Sequence, residues 1–267
     1  MSNLAVSNIA WSGDHAQFFS LLSENGVKGV EVAPGKIVGG WENLTLKEML
    51  KYRHLCENFG LLIPSFQAFL FGKPDLQLLS SEATFKYMRE HISFVSELAA
   101  VAGARILVYG APRSRQLLGY SPEEARLVAL DRLRILAEIC WENCVSIALE
   151  AVPETYDGEF ITTPNESSSI VREVSHPGLV MHFDTGCTSL ANLDVKTEIL
   201  ENKDLIKHFH ISEPGLAGFS TPQNYHQGAS EALKMSNYCG WTCIEMRELS
   251  RPAEELDIAL KFVTNIY

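Results

Sequence analysis

Short apolar runs alternate with longer amphipathic segments along the whole chain. The run VSIALEAV, residues 145–152, is apolar or small on both faces until Glu150 closes it. A strand that is buried on both sides in a parallel sheet has this pattern. The longer segments carry helix signals, with Asp14, Ser121 and Thr163 at N-cap positions and Gly26 at a C-terminus. The pattern therefore predicts strands that alternate with helices.

Eight apolar runs have the length and composition of strands. They cover residues 4–10, 26–34, 61–68, 105–112, 145–152, 179–184, 206–212 and 241–248. Helical periodicity predicts helices over residues 16–26, 45–60, 82–102, 121–143 and 225–238, and others that start at Thr163–Pro164 and Arg251–Pro252. Alternation of this kind produces a parallel sheet.

Eight such units fit one α/β domain, a (β/α)8 TIM barrel over residues 1–267. An open, doubly wound sheet is the alternative. The first strand is not followed by a GxGxxG turn, and this disfavours the open sheet. In a closed barrel the carboxyl ends of all strands meet at one mouth, where the active sites of this fold lie.

Composition limits the classes of partner. The formal charge of −11 argues against nucleic acid, because such binding depends on lysine and arginine that neutralise phosphates. No apolar run reaches the roughly 18 residues of a membrane span, and the N-terminus has no signal-peptide pattern. The six cysteines form no CxxC pair and lie mostly in apolar patterns. We therefore expect a reduced, cytoplasmic protein that does not bind membranes.

Four consecutive strands each carry a metal-binding side chain near the carboxyl end. These are Glu150, Asp184, His210 and Glu245. Carboxylates and an imidazole suit one divalent ion: manganese, magnesium, cobalt or zinc. The alternative is that each acid pairs with a lysine or arginine in a loop, but few cationic residues lie beside them. We predict a metal centre at the mouth.

Other polar residues near the strand ends are candidates for substrate binding. They are Glu31, Gln67, Arg113, His226 and Arg247. Gln67 could bond a hydroxyl, and the other four also have a structural alternative: an ion pair for Glu31 and Arg247, and a solvated surface position for Arg113 and His226. His182 and His208 share strand faces with Asp184 and His210, one layer deeper. We interpret both as hydrogen-bonded core histidines that could support a ligand.

These motifs resemble the xylose isomerase-like barrel superfamily, the group of sugar-phosphate isomerases and epimerases. The resemblance runs along the whole chain and includes GVEVAP, LEAVPETYDGEFITT, HFDTGC, HFHISEP and YCGWTCIEMR. In the ketose 3-epimerases of that group, one divalent metal is held by Glu, Asp, His and Glu on strands five to eight. The resemblance thus implies Glu150, Asp184, His210 and Glu245 as ligands, with the two glutamates as the acid/base pair.

Three positions depart from the epimerase pattern. Cys187 replaces the histidine that follows the aspartate, Leu216 replaces an arginine, and Tyr156 replaces a glutamate. All three positions contact substrate in those enzymes. The resemblance therefore carries over the metal site but not the ketose substrate.

The function implied is a divalent-metal-dependent isomerase or epimerase that moves a proton on a small sugar, sugar phosphate or polyol through an enediolate. One alternative is a lyase or dehydratase at the same site. Another is hydrolysis as in the DNA-repair endonucleases of the superfamily, although the extra zinc-binding histidine is missing and the chain is acidic. A third is a barrel that binds a sugar or partner without catalysis. By analogy we also expect a possible homo-oligomer.

Overall fold

The computed structural model describes residues 3–267, in which eight strands form one parallel sheet. In chain order they are β1 (Leu4–Ser7), β2 (Gly29–Glu31), β3 (Ser65–Phe66), β4 (Ile106–Tyr109), β5 (Ser146–Leu149), β6 (Leu179–Asp184), β7 (Ile206–Ser212) and β8 (Trp241–Glu245). All eight lie within the predicted runs. β6 and β7 have the predicted bounds, and the other six strands are shorter than their runs.

Nine α-helices of the described chain connect the strands. They are α1 (His15–Glu24), α2 (Leu46–Asn58), α3 (Glu82–Ala102), α4 (Pro122–Glu142), α5 (Pro164–Val174), α6 (Thr185–Leu190), α7 (Val195–Asn202), α8 (Tyr225–Met235) and α9 (Pro252–Ile266). The predicted caps are confirmed: Ser121 and Glu124 form a capping box, and Asp14 caps α1. The short helices α6 and α7 were not predicted.

The sheet closes into a barrel. Its hydrogen-bonded order is β2-β1-β8-β7-β6-β5-β4-β3. Parallel bridges join Gly29 to Leu62 and Val32 to Phe66, which connects the β2 and β3 edges. The predicted (β/α)8 TIM barrel is therefore confirmed, and the open doubly wound alternative is excluded.

The upper interior of the barrel is polar, whereas barrels of this kind are usually filled by branched apolar side chains. Glu31, Ser65, His182 and His208 are all fully buried there. Polar groups without water must bond to one another, so this layer has a defined hydrogen-bond pattern. Among residues 3–267, no helix has both the length and the apolarity that a membrane span requires.

Candidate metal centre

Three of the four predicted ligands, Glu150, Asp184 and His210, come close together at the mouth, and Glu245 approaches them only through His210. Asp184 of β6 pairs with His210 of β7, and Ser212 of β7 pairs with Glu245 of β8. Glu150 immediately follows β5. Ligand atoms of Glu150, Asp184 and His210, together with His182, lie within 4.8 Å of one another. Glu245 lies outside this group, but its Oε2 is 3.2 Å from His210 Nδ1, so three carboxylates lie near one imidazole at the carboxyl ends of the strands.

His210 lies at the centre of this group and is only 1% exposed. Its Nε2 is 2.8 Å from Glu31 Oε1. Its Nδ1 lies 3.2 Å from Glu245 Oε2 and 3.6 Å from Asp184 Oδ2, yet forms no hydrogen bond. Burial alone would lower the pKa of His210, but Glu31 and Glu245 outweigh it and raise the pKa well above the usual value. One nitrogen is therefore anchored, and the other faces two carboxylates.

Asp184 is held by bonds to both of its oxygens. The backbone N–H of Cys187 donates to Oδ1, because Asp184 is the N-cap of α6. The Ser212 hydroxyl donates to Oδ2 at 2.7 Å. The same hydroxyl accepts the Gly186 N–H at 2.9 Å, so β7 and α6 fix the carboxylate together. A helix N-terminus also favours a negative charge at this position.

Glu150 is held in place by its surroundings. The fully buried Arg115 donates to the Glu150 carbonyl oxygen at 2.7 Å and to the Tyr109 carbonyl at 3.2 Å. Gly110 leaves the space for the carboxylate, since a Cβ there would lie 1.7 Å from Glu150 Oε2. The Cys187 thiol lies 3.6 Å from Oε1. The neighbours of Glu150 therefore restrict where its carboxylate can lie.

The protonation of Glu150 and Glu245 depends on burial and on the neighbouring charges. Burial raises the pKa of Glu150, and the nearby Asp184 and Glu245 raise it further. Burial also raises the pKa of Glu245, although His210 partly opposes this. Carboxylates crowded in a dry site cannot all ionise without a cation, because each loses hydration and repels the others.

Glu31, a predicted substrate-binding residue, lies behind the mouth and not on its surface. It is fully buried. Ser65 Oγ donates to it at 2.7 Å, Gln67 Nε2 at 3.2 Å and His210 Nε2 at 2.8 Å. Burial would raise its pKa, but His210 and His208 lower the pKa to about 2. Glu31 is therefore an ionised acceptor behind the mouth.

The two deeper histidines are neutral members of the polar layer. Burial lowers the pKa of His182 well below its usual value and that of His208 to about 4. Their Nδ1 atoms are 3.1 Å apart, and His208 Nε2 is 2.9 Å from Ser65 Oγ. His182 Nε2 is buried without a partner. His208 matches the interpretation of a hydrogen-bonded core histidine, whereas His182 has one unused nitrogen.

The residues at the mouth fit a divalent cation. Two buried ring nitrogens, His210 Nδ1 and His182 Nε2, have no hydrogen-bond partner in residues 3–267. Within the same residues, no lysine or arginine forms an ion pair with Glu150, Asp184 or Glu245; the contacts of Asp184 and Glu245 are with His210. Loop cations therefore do not explain these acids. Oxygen and imidazole donors without a bound thiolate suit manganese, cobalt, magnesium or zinc.

The remaining substrate-binding candidates lie in different environments. Gln67 is 7% exposed, and its amide nitrogen donates to Ser7 and Glu31. Arg113 has an 80% exposed side chain, 3.9 Å from Asp157, and Arg247 is exposed just beyond β8. His226 is 1% exposed.

The prediction of a substrate contact from His226 does not fit the structure. Its Nε2 lies 2.8 Å from Glu213 Oε1, and its Nδ1 lies 2.7 Å from the Tyr267 hydroxyl. Both ring nitrogens are therefore used inside the protein.

Sequence reasoning did not find the residues that hold the ligands. Arg115 bonds the backbone carbonyl of Glu150, a role that its residue type does not reveal. Ser212 and Gly110 were not singled out at all. The only available signals were their positions, Ser212 two residues after His210 and Gly110 directly after β4. Residues that hold a ligand in place are identified from their contacts in the structure, because their residue types do not distinguish them.

The family model for the xylose isomerase-like TIM barrel matches residues 19–266. A sequence comparison with curated proteins gave no significant match. Among solved structures, 3-keto-D-glucoside 4-epimerase YcjR from E. coli is 18% identical, with a TM-score of 0.83 and coverage of 99% of this chain and 100% of that one.

Two further structures are similar in fold. D-psicose 3-epimerase from Clostridium cellulolyticum H10 is 13% identical, with a TM-score of 0.82 and 99% of both chains covered. An AP endonuclease of family 2 from Brucella melitensis is 16% identical, with a TM-score of 0.75 and coverage of 95% of this chain and 96% of that one. At these identities the likeness describes the barrel and not the reaction.

Proposed function

Because the chain belongs to the xylose isomerase-like TIM barrel family, we propose that it is a divalent-metal-dependent isomerase or epimerase of a small carbohydrate. The substrate is a sugar, a sugar phosphate or a polyol. One observation carries the proposal: His210 Nδ1 is buried without a hydrogen bond, between the carboxylates of Asp184 and Glu245 and within reach of Glu150. Similar structures titled as sugar epimerases support the same reaction class.

Glu150, Asp184, His210 and Glu245 are the proposed ligands. When bound, the cation polarises a carbonyl and stabilises the negative charge that develops on its oxygen during proton transfer. Asp184 is suited to be a permanent ligand, because α6 and Ser212 fix both of its oxygens. Manganese, cobalt, magnesium and zinc are all compatible with this donor set.

Glu150 and Glu245 are the proposed acid/base pair. They come from β5 and β8, which lie on opposite sides of β6 and β7 in the barrel wall. One carboxylate removes a proton from the carbon next to the carbonyl, and the other returns a proton to the opposite face. This inverts the carbon and gives epimerisation, whereas return to the neighbouring carbon gives isomerisation. Positioned acids and bases contribute about 10²- to 10⁴-fold to the rate.

The exposed polar residues of the rim are proposed to select the substrate. Arg113 and Arg247 offer positive charge at the open surface, which suits a phosphate or carboxylate. Gln67 lies deeper, where an amide can bond a hydroxyl. Cys187 lies against Glu150 and limits the space beside it.

The test is a panel of sugars and sugar phosphates with manganese, cobalt and magnesium, followed by carbohydrate NMR in deuterated water. We expect a new epimer or isomer that carries deuterium at the exchanged carbon. Glu150→Gln should remain folded and lose turnover, while Glu154→Gln, at an exposed position of the same loop, should retain it. Near-normal turnover of the Glu150 variant would exclude that residue as the base.

Hydrolysis of a phosphodiester is the second candidate, because the AP endonuclease from Brucella melitensis shares the barrel. The charge of −11 disfavours DNA as its substrate. Cleavage of abasic-site DNA by the metal-loaded protein, without activity on any sugar, would favour this candidate. Loss of water from a polyol in the same NMR panel would instead identify a dehydratase.

A further inference from the structure

Two ring nitrogens in the barrel are buried and lack a hydrogen-bond partner among residues 3–267. One is Nδ1 of His210, which belongs to the proposed ligand set. The other is Nε2 of His182, a residue that is 0% exposed and lies one layer deeper. A buried polar atom without a partner costs about 1–3 kcal/mol. The second nitrogen therefore needs an explanation of its own.

The protonation of His210 follows from Glu31. Ser65 and the Gln67 amide donate to the two oxygens of Glu31, which is therefore the acceptor in this network, and His210 Nε2, 2.8 Å from Oε1, carries the hydrogen. A histidine that binds a metal ion is neutral, so its ligating nitrogen has a lone pair. In His210 that nitrogen is Nδ1, which faces Asp184 and Glu245. Carboxylates orient metal-binding histidines in the same way.

The Glu31 carboxylate also determines the tautomer of His182, through hydrogen bonds with Ser65 and His208. Ser65 donates to Glu31 Oε2, so its oxygen accepts from His208 Nε2 at 2.9 Å. His208 Nε2 is also 3.2 Å from Glu31 Oε2, which again requires the hydrogen on that nitrogen. His208 Nδ1 therefore accepts from His182 Nδ1, 3.1 Å away. The remaining nitrogen of His182, Nε2, has a lone pair and no donor.

The sheet register places this lone pair beside the acids. The pairing of β5 with β6 ends at Leu149 and Met181, and Glu150 and His182 are the next residues of the two chain segments. Ligand atoms of Glu150, His182, Asp184 and His210 fall within 4.8 Å of one another. Since Nδ1 of His182 is bonded to His208, Nε2 is the nitrogen available to a cation.

We propose that His182 is an additional ligand of the metal centre through Nε2, and that Glu31 sets the tautomers of both metal-binding imidazoles. The inference rests on the metal centre of the proposed function and extends it. Two imidazoles among carboxylates favour zinc, cobalt or manganese over magnesium, which prefers oxygen ligands and water. Glu31 is thus a positioning residue, and its effect on the metal passes through His210 and His208.

The test is NMR of the full chain labelled with ¹⁵N in its histidine rings, freed of metal by chelation and titrated with zinc. We expect two ring nitrogens, one from each of two histidines, to shift together to the position of a metal-bound, unprotonated nitrogen as one equivalent binds. His182→Gln should remove one of the two shifts and weaken zinc binding by roughly tenfold or more. Glu31→Gln should weaken it about 10- to 100-fold, because its amide hydrogens would face the donors of Ser65 and His210.

The exposed His54 gives a matched control, since His54→Gln lies on α2, away from the mouth, and should bind zinc like the wild type. A shift of only one ring nitrogen in the wild-type protein would overturn the role of His182, whether or not the variants fold. Two shifted nitrogens without turnover on any substrate would leave this inference intact and refute the proposed function. If no nitrogen shifts, both are refuted.

Discussion

The space at Gly110 makes a sharp prediction about Glu150. A Cβ on residue 110 would lie 1.7 Å from Glu150 Oε2, whereas ordinary contacts begin near 3.4 Å. In Gly110→Ala the carboxylate must therefore retreat by roughly 1.7 Å. Gly110 does not have a positive φ, so alanine fits the backbone and the protein should fold. The change moves the proposed ligand without removing it.

We expect Gly110→Ala to weaken zinc or manganese binding about 10- to 100-fold and to lower turnover by about 10²-fold, since a misplacement of 1 Å is enough for such a loss. Metal affinity is measured by competition with a chelator, and folding by thermal melting. Gly35→Ala is the control, because its Cβ would make an ordinary 3.4 Å contact with Trp41. Wild-type metal affinity in a folded Gly110→Ala protein would refute the placement of Glu150 in the site.

Three further predictions concern stability. Zinc at about 100 times its dissociation constant should raise the melting temperature of chelated protein by roughly 5–10 °C, and an unchanged melting curve would argue against a built site. Arg115→Met leaves the Glu150 carbonyl unpaired, whereas the Tyr109 carbonyl keeps the Glu150 N–H, and the change should cost about 1–3 kcal/mol in urea unfolding; Arg105→Met, at the surface, is the control. Phe209→Ala removes a buried ring stacked within the core and should cost about 3–5 kcal/mol, and a loss below 1 kcal/mol would contradict tight packing there.

The number, order and type of the strands could be predicted from hydrophobic pattern, because each is buried on both faces. Helix α3 was also predicted to the residue, since Ser81 caps its start and Gly103, with φ of 86°, ends it. Helices α6 and α7 were missed. α6 has six residues, and its N-cap is Asp184, which the pattern assigned to the end of a strand. Because Asp184 both ends β6 and caps α6, the sequence contains no separate N-cap that would mark the start of α6.

The sequence predicted candidate residues for the site, but it did not predict the contacts that surround each of them. Glu31 and His226 both looked available to a substrate because they are polar and lie near strand ends. Packing buries Glu31 beneath His210 and encloses His226 between Glu213 and Tyr267. Whether a polar side chain faces the mouth or the core depends on contacts between residues far apart in the chain.

The sequence by itself determined the alternation of strands and helices, and with it the barrel and the position of four candidate metal ligands near the carboxyl ends of its strands. These follow from local periodicity, since every parallel strand of a closed sheet points its carboxyl end to the same mouth. Only the tertiary structure decided which nitrogen of His210 is free, that Glu31 lies behind it and that His182 has an unused lone pair. Hydrogen-bond direction in a dry interior depends on which partners lie within about 3 Å, and residue order does not encode that distance.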